Sequence, residues 1–489
     1  MSGDLVLVID AGTTSTRALL FGRDGRCHGV MQSEFAQHYP RPGQVEHDAD
    51  EIWRATLGCM REVVGVVGIE RIAAIGVTNQ RETVVAWDRT TGQPLARAIV
   101  WQDRRTAPMC DRLRSEGAEP LVQSRTGLLL DPYFSGTKMR WMLDNEPAVA
   151  GAARDGRLAL GTVESWLVWK LTGGARHVTD ASNASRTLLL ALDGADWDEE
   201  LLDLFGVPRA VLPEVTDSLG EFGAALPEWL DASVPVRGLA GDQQAATIGQ
   251  GCLAPGEVKA TYGTGAFVLA AMGDAVPRSG HRLLGTVLVQ DKGVRSFALE
   301  GSVFVAGSLI KWLRDAMGLV GSAAETAALA ASVPDSGGVV LVPALSGLGA
   351  PHWRPDASAA LTGMTFSTTR AHVVRAALEA MAHQTLDLMD AFAADRAPWT
   401  SLRIDGGMSA NDWVAQDLAD ILDLPVERPV MVETTALGAG MLAAVASGWF
   451  GSLGEAEAMR GSVTRFEPRM APGVRAARIA RWREALAKV

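Results

Sequence analysis

Cysteine is scarce in this chain and is not clustered. Among 489 residues there are four cysteines, with no C-x-x-C pair and no Cys/His group at zinc spacing: Cys27, Cys59, Cys110 and Cys252. Zinc sites and disulfide frameworks need cysteines at short, regular spacings, so neither is expected. The sequence predicts a protein of a reducing, cytoplasmic setting.

Long apolar runs are also missing. No uninterrupted stretch approaches the roughly 18 to 20 apolar residues of a membrane-spanning helix. The opening residues MSGDLVLVID lack the basic region and the apolar region of an export signal. We therefore expect neither membrane insertion nor export.

Basic residues are fewer than acidic residues in this chain. Lys and Arg number 45 against 57 Asp and Glu, and the formal net charge is -12. General nucleic-acid binding depends on Lys and Arg that neutralise phosphates, so no nucleic-acid partner is expected. Any phosphate that the chain holds must be bound locally.

Several catalytic and nucleotide motifs are absent as well. The sequence has no G-x-x-x-x-G-K-[ST] loop, which disfavours a P-loop kinase, and no H-E-x-x-H or G-x-S-x-G motif. The segment from Gly438 to Ala443 matches a loose dinucleotide fingerprint, but it lies inside a helical run of small residues and not directly after a strand. We expect close helix packing there.

The most informative segment present is VLVIDAGTTSTRALLF, residues 6–21. Two runs rich in Val, Ile and Leu flank a Gly-containing turn, which predicts a hairpin of two strands. Hydroxyls and backbone N–H groups can surround phosphate oxygens, and an aspartate is a suitable ligand for Mg²⁺. A nucleotide phosphate site is favoured, with an ordinary polar turn as the alternative. The residues concerned are Asp10, Thr13, Thr14, Ser15 and Arg17.

A second hairpin of the same kind is predicted in VKATYGTGAFVLAAM, residues 258–272. Just before it, residues 249–256 gather Gly and Pro, so we place a domain boundary there and predict domains 1–249 and 250–489. Strand-like runs such as 97–101 alternate with helical ones such as 49–67, which indicates an α/β architecture. The paired hairpins suggest an internal duplication with a nucleotide between the halves. A purely structural turn is the alternative for the second hairpin.

Candidate substrate residues follow strand-like runs in the first half. Arg81 and Glu82 belong to the polar segment 78–82, which directly follows the apolar run 72–77, and their donors and acceptors suit neighbouring hydroxyls of a polyol. Trp101 and Tyr133 offer aromatic faces for the C–H side of a small polyol. The alternatives are a surface ion pair and a place in the core.

Asp242 is a candidate catalytic base. It follows the apolar run 234–240, and a carboxylate at a strand end can accept a hydroxyl proton as the oxygen attacks a γ-phosphate. Farther on, Gly407 allows a flat ligand to approach the backbone, and Asn411 precedes the predicted helix 412–421, an arrangement that suits adenine or ribose. A helix N-cap is the alternative for both Asp242 and Asn411.

Taken in order along nearly the whole chain, the motifs resemble those of the FGGY carbohydrate kinases. The segments that carry the resemblance are IDAGTTSTR (9–17), PGQVEHD (42–48), AAIGVTNQRET (73–83), AIVWQDRRT (98–106), GLLLDPYFSGTK (127–138), HVTDASNASRT (177–187), AGDQQAA (240–246), TYGTGAF (261–267), GLGAPHW (347–353), DGGMSAN (405–411) and TALGAG (435–440). The resemblance implies a two-domain, actin-like and hexokinase-like ATPase fold of ribonuclease H-like domains, with the active site in the interdomain cleft.

The resemblance also implies a reaction and a set of site residues. The reaction is phosphorylation of glycerol by ATP with Mg²⁺; another small polyol or triose, such as erythritol or dihydroxyacetone, and a non-catalytic ATP-binding regulator are the alternatives. The oligomeric state is left open between a monomer and a homodimer or homotetramer. Carried over by position, the glycerol pocket is Arg81, Glu82, Trp101, Tyr133, Asp242, Gln243 and Phe267, with Asp242 as the base. The metal residues are Asp10 and Asp242, and the nucleotide residues are Thr13, Thr14, Ser15, Arg17, Thr264, Gly307, Lys311, Gly407 and Asn411.

The chain departs from the family pattern in a few places. Ala11 stands where members that phosphorylate glycerol usually have Gln, Lys311 replaces a Gln near the nucleotide, and His352 replaces a Tyr. The segment 224–236 lacks the loop rich in Gly, Lys and Arg through which some bacterial members bind fructose 1,6-bisphosphate. We therefore expect no control by that ligand.

Overall fold

The first half of the chain is organised around a six-stranded sheet. The structure is a computed structural model that describes residues 3–354 and 356–489. Strands of this half are β1 Leu5–Ala11, β2 Ser15–Gly22, β3 Cys27–Glu34, β4 Glu46–His47, β5 Ile72–Asn79, β6 Val85–Asp88, β7 Ala98–Ile99, β8 Leu158–Gly161, β9 Val178–Asp180, β10 Glu214–Thr216, β11 Ala224–Ala225 and β12 Val234–Gly241. The main sheet has the order β11-β12-β5-β1-β2-β3, and small sheets pair β4 with β7, β6 with β8 and β9 with β10.

The second half is organised around a seven-stranded sheet. Its strands are β13 Glu257–Tyr262, β14 Ala266–Gly273, β15 Leu284–Asp291, β16 Val294–Val303, β17 Val340–Val342, β18 Ala360–Thr362, β19 Ser401–Asp405, β20 Val426–Pro429 and β21 Val463–Phe466. The sheet has the order β15-β16-β14-β13-β19-β20-β21, and β17 pairs with β18. Both predicted hairpins are present, because β1 pairs antiparallel with β2 and β13 with β14.

Helices cover these sheets. Those of the first half are α1 Ala49–Val67, α2 Ala107–Ser115, α3 Glu119–Thr126, α4 Ser135–Asn145, α5 Pro147–Arg154, α6 Val163–Leu171, α7 Ala181–Ala184, α8 Glu199–Phe205, α9 Pro227–Leu230 and α10 Asp242–Gly249. Those of the second half are α11 Gly307–Asp315, α12 Glu325–Ala331, α13 Arg370–Ala394, α14 Asp412–Leu422, α15 Thr434–Ala446, α16 Leu453–Ala456 and α17 Pro472–Leu486. Short 3₁₀ turns lie at Ile69–Arg71, Arg209–Val211, Gly407–Ala410 and Glu457–Arg460.

Strand β1 is buried on both faces and divides two cores. Because successive side chains of a strand point to opposite faces, Leu7 and Ile9 pack into the core that contains residues of α1. Val6 and Val8 pack on the other face, in a core that contains residues of α15. A helix of the second half therefore covers the main sheet of the first half.

Helices α10 and α15 approach one another backbone to backbone. A side chain carbon at Gly438 would lie 1.8 Å from the carbonyl oxygen of Ala245, and one at Gly249 would lie 2.0 Å from that of Thr434. Only glycine permits such an approach. The small-residue run at 438–443 lies inside α15, so the prediction of helix packing there is confirmed.

Some predicted segments differ in extent. The run 97–101 forms only the two-residue strand Ala98–Ile99, and Trp101 lies in the turn after it. The helix predicted over 412–421 is observed at Asp412–Leu422. Within residues 3–354 and 356–489, no helix combines the length and the apolar character needed to cross a bilayer.

Candidate functional site

The candidate site forms where three parallel strands end together. Strand β5 lies between β1 and β12, and Asn79 on β5 is in register with Ala11 and with Gly241. Neighbouring strands lie about 4.8 Å apart, so the ends of β1 and β12 are separated by about 10 Å. The residues at and after these ends, Asp10, Arg81 and Asp242, consequently share one edge of the sheet, where ligands bind in open α/β sheets.

The turn after β1 carries the predicted phosphate-binding hydroxyls. Thr14 is exposed, and Thr13 and Ser15 are half-buried. The hydroxyl of Thr13 accepts a hydrogen bond from Nε1 of Trp101 at 3.0 Å. This contact links the predicted phosphate loop to the predicted polyol wall. Ala11 itself is fully buried among core residues, so its side chain faces the core and not the loop.

Arg17 is held by two carboxylates from the two halves of the chain. It lies opposite Asp10 in the hairpin and donates to that carboxylate. Its Nη1 donates to Oε2 of Glu433, just before α15, at 2.5 Å. The predicted phosphate ligand Arg17 and the predicted metal ligand Asp10 therefore form one ion-paired unit.

Arg81 and Glu82 are buried inside the site. Each side chain is 2% exposed, so the alternative of a surface ion pair is wrong. Nε of Arg81 lies 3.3 Å from Oδ1 of Asp242, and Nη2 donates to the hydroxyl of Tyr133 at 3.3 Å. The structure thus brings three of the predicted pocket residues into contact around one guanidinium group.

The two predicted aromatic walls also meet. The rings of Trp101 and Tyr133 are 5.6 Å apart in an edge-on arrangement, and both side chains are half-buried. An aromatic pair of this geometry presents a rigid, partly apolar surface beside the guanidinium group.

Phe267 is half-buried on β14, opposite Ser302 of β16.

Asp242 begins α10 at the end of β12. The helix has no side-chain cap, and Gly241 holds the cap position, so the N-cap alternative is wrong. The Asp242 side chain is 31% exposed. Burial raises its pKa from the ordinary 3.8 to about 6, with Glu82 adding to the rise and the cations Arg81 and Lys259 opposing it. A carboxylate with a pKa near 6 is ionised at neutral pH and is still a competent proton acceptor.

Gln243 is held by a lysine of the second half. Nζ of Lys259, on β13, donates to Oε1 of Gln243 at 2.6 Å. Since the amide oxygen of Gln243 is occupied, its NH₂ group is the part left for a ligand. The lysine is fully buried, and burial lowers its pKa although Asp405 and Asp242 act against this.

The turn between β13 and β14 meets the start of α11. Thr264 is exposed at the turn, and its carbonyl oxygen accepts from the backbone of Ala306 and Ser308 at 3.0 and 3.1 Å. The N–H of Gly307 donates to the carbonyl oxygen of Gly263 at 2.9 Å. Thr264 and Gly307, which are far apart in sequence, are therefore neighbours.

A cavity of about 170 Å³ lies beside this turn. It is lined by Gly307, Lys311 and Met408, with Ile310, Arg314 and Ala323. Gly407, next to Met408, is exposed, and a side chain carbon placed on it would meet no atom within 4 Å. Two cations and an apolar wall suit an anionic ligand with a flat ring.

Asn411 has a different local role. Its Oδ1 accepts from the backbone N–H of Trp413 and Val414 at the start of α14. Its Nδ2 donates to Thr326 at 3.2 Å. The structure shows the cap for Oδ1, and Nδ2 keeps a second N–H for a ligand.

The residues of the site fit a magnesium ion that is held mainly by phosphates. Within the described parts of the chain, no cluster of three or more His, Cys, Asp or Glu side chains is placed to hold a metal. Mg²⁺ commonly takes one or two carboxylates and completes its shell with waters and substrate phosphates. Asp10 and Asp242, on either side of β5, provide such a donor set.

Three buried charges of the site escaped the sequence interpretation as individual residues: Arg186, Lys259 and Glu300. Each is fully buried. Lys259 and Glu300 each interrupt a strand that is otherwise largely apolar. A charge inside a buried strand needs a partner, and that signal was available in the sequence.

Comparison with known proteins agrees with the resemblance. The model of the FGGY family of carbohydrate kinases matches with its N-terminal domain at residues 5–249 and with its C-terminal domain at residues 258–447. The chain is 54% identical over 488 residues to glycerol kinase of Dechloromonas aromatica, covering 99% of this chain and 97% of that one. It is 52% identical over 483 residues to glycerol kinase of Rhodospirillum centenum, covering 98% and 97%. The crystal structure of Plasmodium falciparum glycerol kinase with ADP superimposes with a TM-score of 0.94 at 35% identity, covering 100% and 98%.

Proposed function

The chain belongs to the FGGY family of carbohydrate kinases, and we propose that it phosphorylates a terminal hydroxyl of glycerol with ATP, giving sn-glycerol 3-phosphate and ADP. It has the two-domain, actin-like fold of that family. Similarity over the full length to glycerol kinases supports glycerol and ATP as the substrates. The residue roles, the use of Mg²⁺, the domain boundary at 249, the cytoplasmic setting and the oligomeric state stay predictions.

The observation that carries the proposal is the placement of Asp242. Its carboxylate is 31% exposed at the edge where β1, β5 and β12 end, and it lies 3.3 Å from Nε of Arg81. Arg81 follows the neighbouring strand β5, and the hydroxyl-rich turn follows β1, one strand farther along the same edge. This edge of the sheet therefore carries a base, donors for an alcohol and hydroxyls for a phosphate.

On the polyol side, Arg81 and Glu82 bind neighbouring hydroxyls and Trp101 with Tyr133 covers the C–H surface. Asp242 accepts the proton of the attacking hydroxyl as the oxygen approaches the γ-phosphate. Because both charges of the pocket are buried, a substrate that lacks one of these hydroxyls leaves a donor or an acceptor unpaired. That cost favours a small polyol over a simple alcohol.

On the phosphate side, the turn after β1 offers the hydroxyls of Thr13, Thr14 and Ser15. The second half contributes Thr264, in the turn after β13, and Gly307, at the start of α11. Lys311 adds a positive charge at the cavity. Asp10 and Asp242 are the carboxylates that would hold Mg²⁺, which supplies neutralisation of charge on the phosphates. Arg17 orients Asp10 through their ion pair.

Release of ADP from ATP tests the proposal when it is measured with glycerol, erythritol, dihydroxyacetone and no acceptor. Glycerol is expected to give the highest kcat/KM, and release without acceptor is expected to be slow. A preference for another acceptor would move the substrate assignment to that polyol or triose. Equal rates with and without acceptor would remove the kinase assignment.

A further inference from the structure

Glu300 contacts the proposed polyol pocket directly through Arg81. The carboxylate is on β16 of the second half and is fully buried. It accepts from Nη1 of Arg81 at 2.6 Å and from Nη2 at 3.3 Å. A two-point contact of this kind fixes both the position and the plane of a guanidinium group.

Arg186 connects the same carboxylate to the other charged residue of the pocket. Its Nη2 donates to Oε1 of Glu300 at 2.9 Å, and its Nε donates to Oε1 of Glu82 at 2.7 Å. The guanidinium group lies over the ring of Phe134 with 5.2 Å to the centroid. Arg81, Glu300, Arg186 and Glu82 thus form a continuous set, which we call the buried charge network.

Glu300 and Arg186, the two middle members of the network, are positioned to affect binding only indirectly. The side chains of Glu300 and Arg186 are both 0% exposed, so neither has surface that a ligand can reach. Burial opposes ionisation of Glu300, but Arg186 and Arg81 outweigh it and lower its pKa to about 2. Glu300 is therefore charged throughout the working pH range, and loss of its carboxylate leaves Arg81 and Arg186 without this partner.

Glu300 also competes with Asp242 for the same arginine. Arg81 contacts Glu300 on one side and lies 3.3 Å from Asp242 on the other. Without the Glu300 carboxylate, the carboxylates left to Arg81 are Asp242 and Glu82, at 3.3 and 3.7 Å from its Nε. The far end of the guanidinium group then loses the charged partner that fixes its orientation.

We propose that Glu300 is a positioning residue which, together with Arg186, orients Arg81 and Glu82 toward the polyol from the opposite half of the chain. The inference rests on the proposed function of the site. It means that affinity for the polyol, and not affinity for the nucleotide, depends on the buried charge network.

Steady-state kinetics of Glu300→Gln tests this inference. The KM for glycerol is expected to rise about tenfold or more, because a misplaced arginine and an unpaired charge weaken the hydroxyl contacts. The KM for ATP is expected to stay within about twofold. A rise in the KM for glycerol without a rise in the KM for ATP is a result that loss of stability alone would not cause.

Two further variants separate positioning from folding. Glu300→Asp keeps the charge on a shorter arm, and its KM for glycerol should lie between those of the wild type and Glu300→Gln. Arg186→Lys keeps the charge but loses the second donor that the planar fork provides, so it should also raise the KM for glycerol alone. Either variant supplies the result if Glu300→Gln does not fold.

Asp417→Asn is the matched control. Asp417 is a buried carboxylate of the same half, paired in two-point geometry with Arg478 at 2.6 and 2.9 Å. Its loss should lower the melting temperature while leaving the KM for glycerol unchanged. A wild-type KM for glycerol in Glu300→Gln or Arg186→Lys, or equal rises in KM for both substrates, would overturn the inference. Wild-type protein that makes no ADP in response to glycerol would instead overturn the proposed function, and this inference with it.

Discussion

Nε of Arg81 lies 3.3 Å from Oδ1 of Asp242, while the far end of the same guanidinium group is held by Glu300 at 2.6 Å. One arginine therefore connects the candidate base to the sheet of the other half. In this arrangement the base, the polyol pocket and the contact between halves share a single side chain. Variants of Asp242, Lys259 and Glu300 separate these roles.

Replacing the candidate base should stop phosphoryl transfer without stopping nucleotide binding. Asp242→Asn keeps the shape of the side chain but removes the proton acceptor, so kcat is expected to fall about a thousandfold. ADP release with saturating glycerol gives the rate, and titration calorimetry with ATP gives the affinity. Wild-type turnover in this variant would refute the assignment of Asp242 as the base.

Activity should depend on pH through the same residue. Because burial raises the pKa of Asp242 to about 6, the wild-type kcat/KM for glycerol is expected to fall as the pH is lowered through about 6. The proton binds more tightly in the folded state than at the ordinary pKa of 3.8, so ionised Asp242 destabilises the fold above pH 6. Asp242→Asn should therefore melt at a higher temperature than wild type at pH 8, and this gain should shrink toward pH 4. A lower melting temperature at pH 8 would contradict the raised pKa.

Removing the buried lysine should shift that pH profile upward. Lys259 lowers the pKa of Asp242 and holds the amide of Gln243 at 2.6 Å. In Lys259→Met the acidic limb of kcat/KM should move to higher pH, and the KM for glycerol should rise several-fold. Lys488→Met, at an exposed C-terminal position, serves as the control and should change neither quantity. An unmoved acidic limb would show that Lys259 acts on structure alone.

A side chain at Gly407 should obstruct the nucleotide and spare the fold. A carbon placed there meets no atom within 4 Å, so Gly407→Val should melt near the wild-type temperature but raise the KM for ATP about tenfold. Ala410→Val, on an exposed residue of the same 3₁₀ turn, is the matched control. Gly406→Ala should instead lower stability, since Gly406 has a φ of 85° and the added carbon would lie 2.6 Å from the carbonyl oxygen of Tyr262. An unchanged KM for ATP in Gly407→Val would place the nucleotide elsewhere.

Local features of the sequence predicted a large part of this molecule. The two hairpins, the helix at 49–67 and the strand ends that carry Arg81 and Asp242 all follow from short patterns of apolar residues and turns. The partners of those residues do not, because Arg81 and Glu300 are 219 positions apart and no local period connects them. Asn411 shows a different limit, since its position before a helix fits both a cap and a nucleotide contact, and the cap uses only Oδ1 of the side chain. The full-length order of motifs, more than any single loop, carried the assignment of the family.

The glycine contact between α10 and α15 bears on whether the chain can be divided. Helix α15 packs against Val6 and Val8 of β1. The residues of this helix lie more than four hundred positions along the chain from that strand. A fragment that ends at residue 249 would expose one face of its central sheet to water. The complementary fragment would expose the apolar surface of α15, because the sheet that buries this helix would be missing. Because the two halves share this core, we expect the chain to unfold and refold as one cooperative unit, although it contains two sheets.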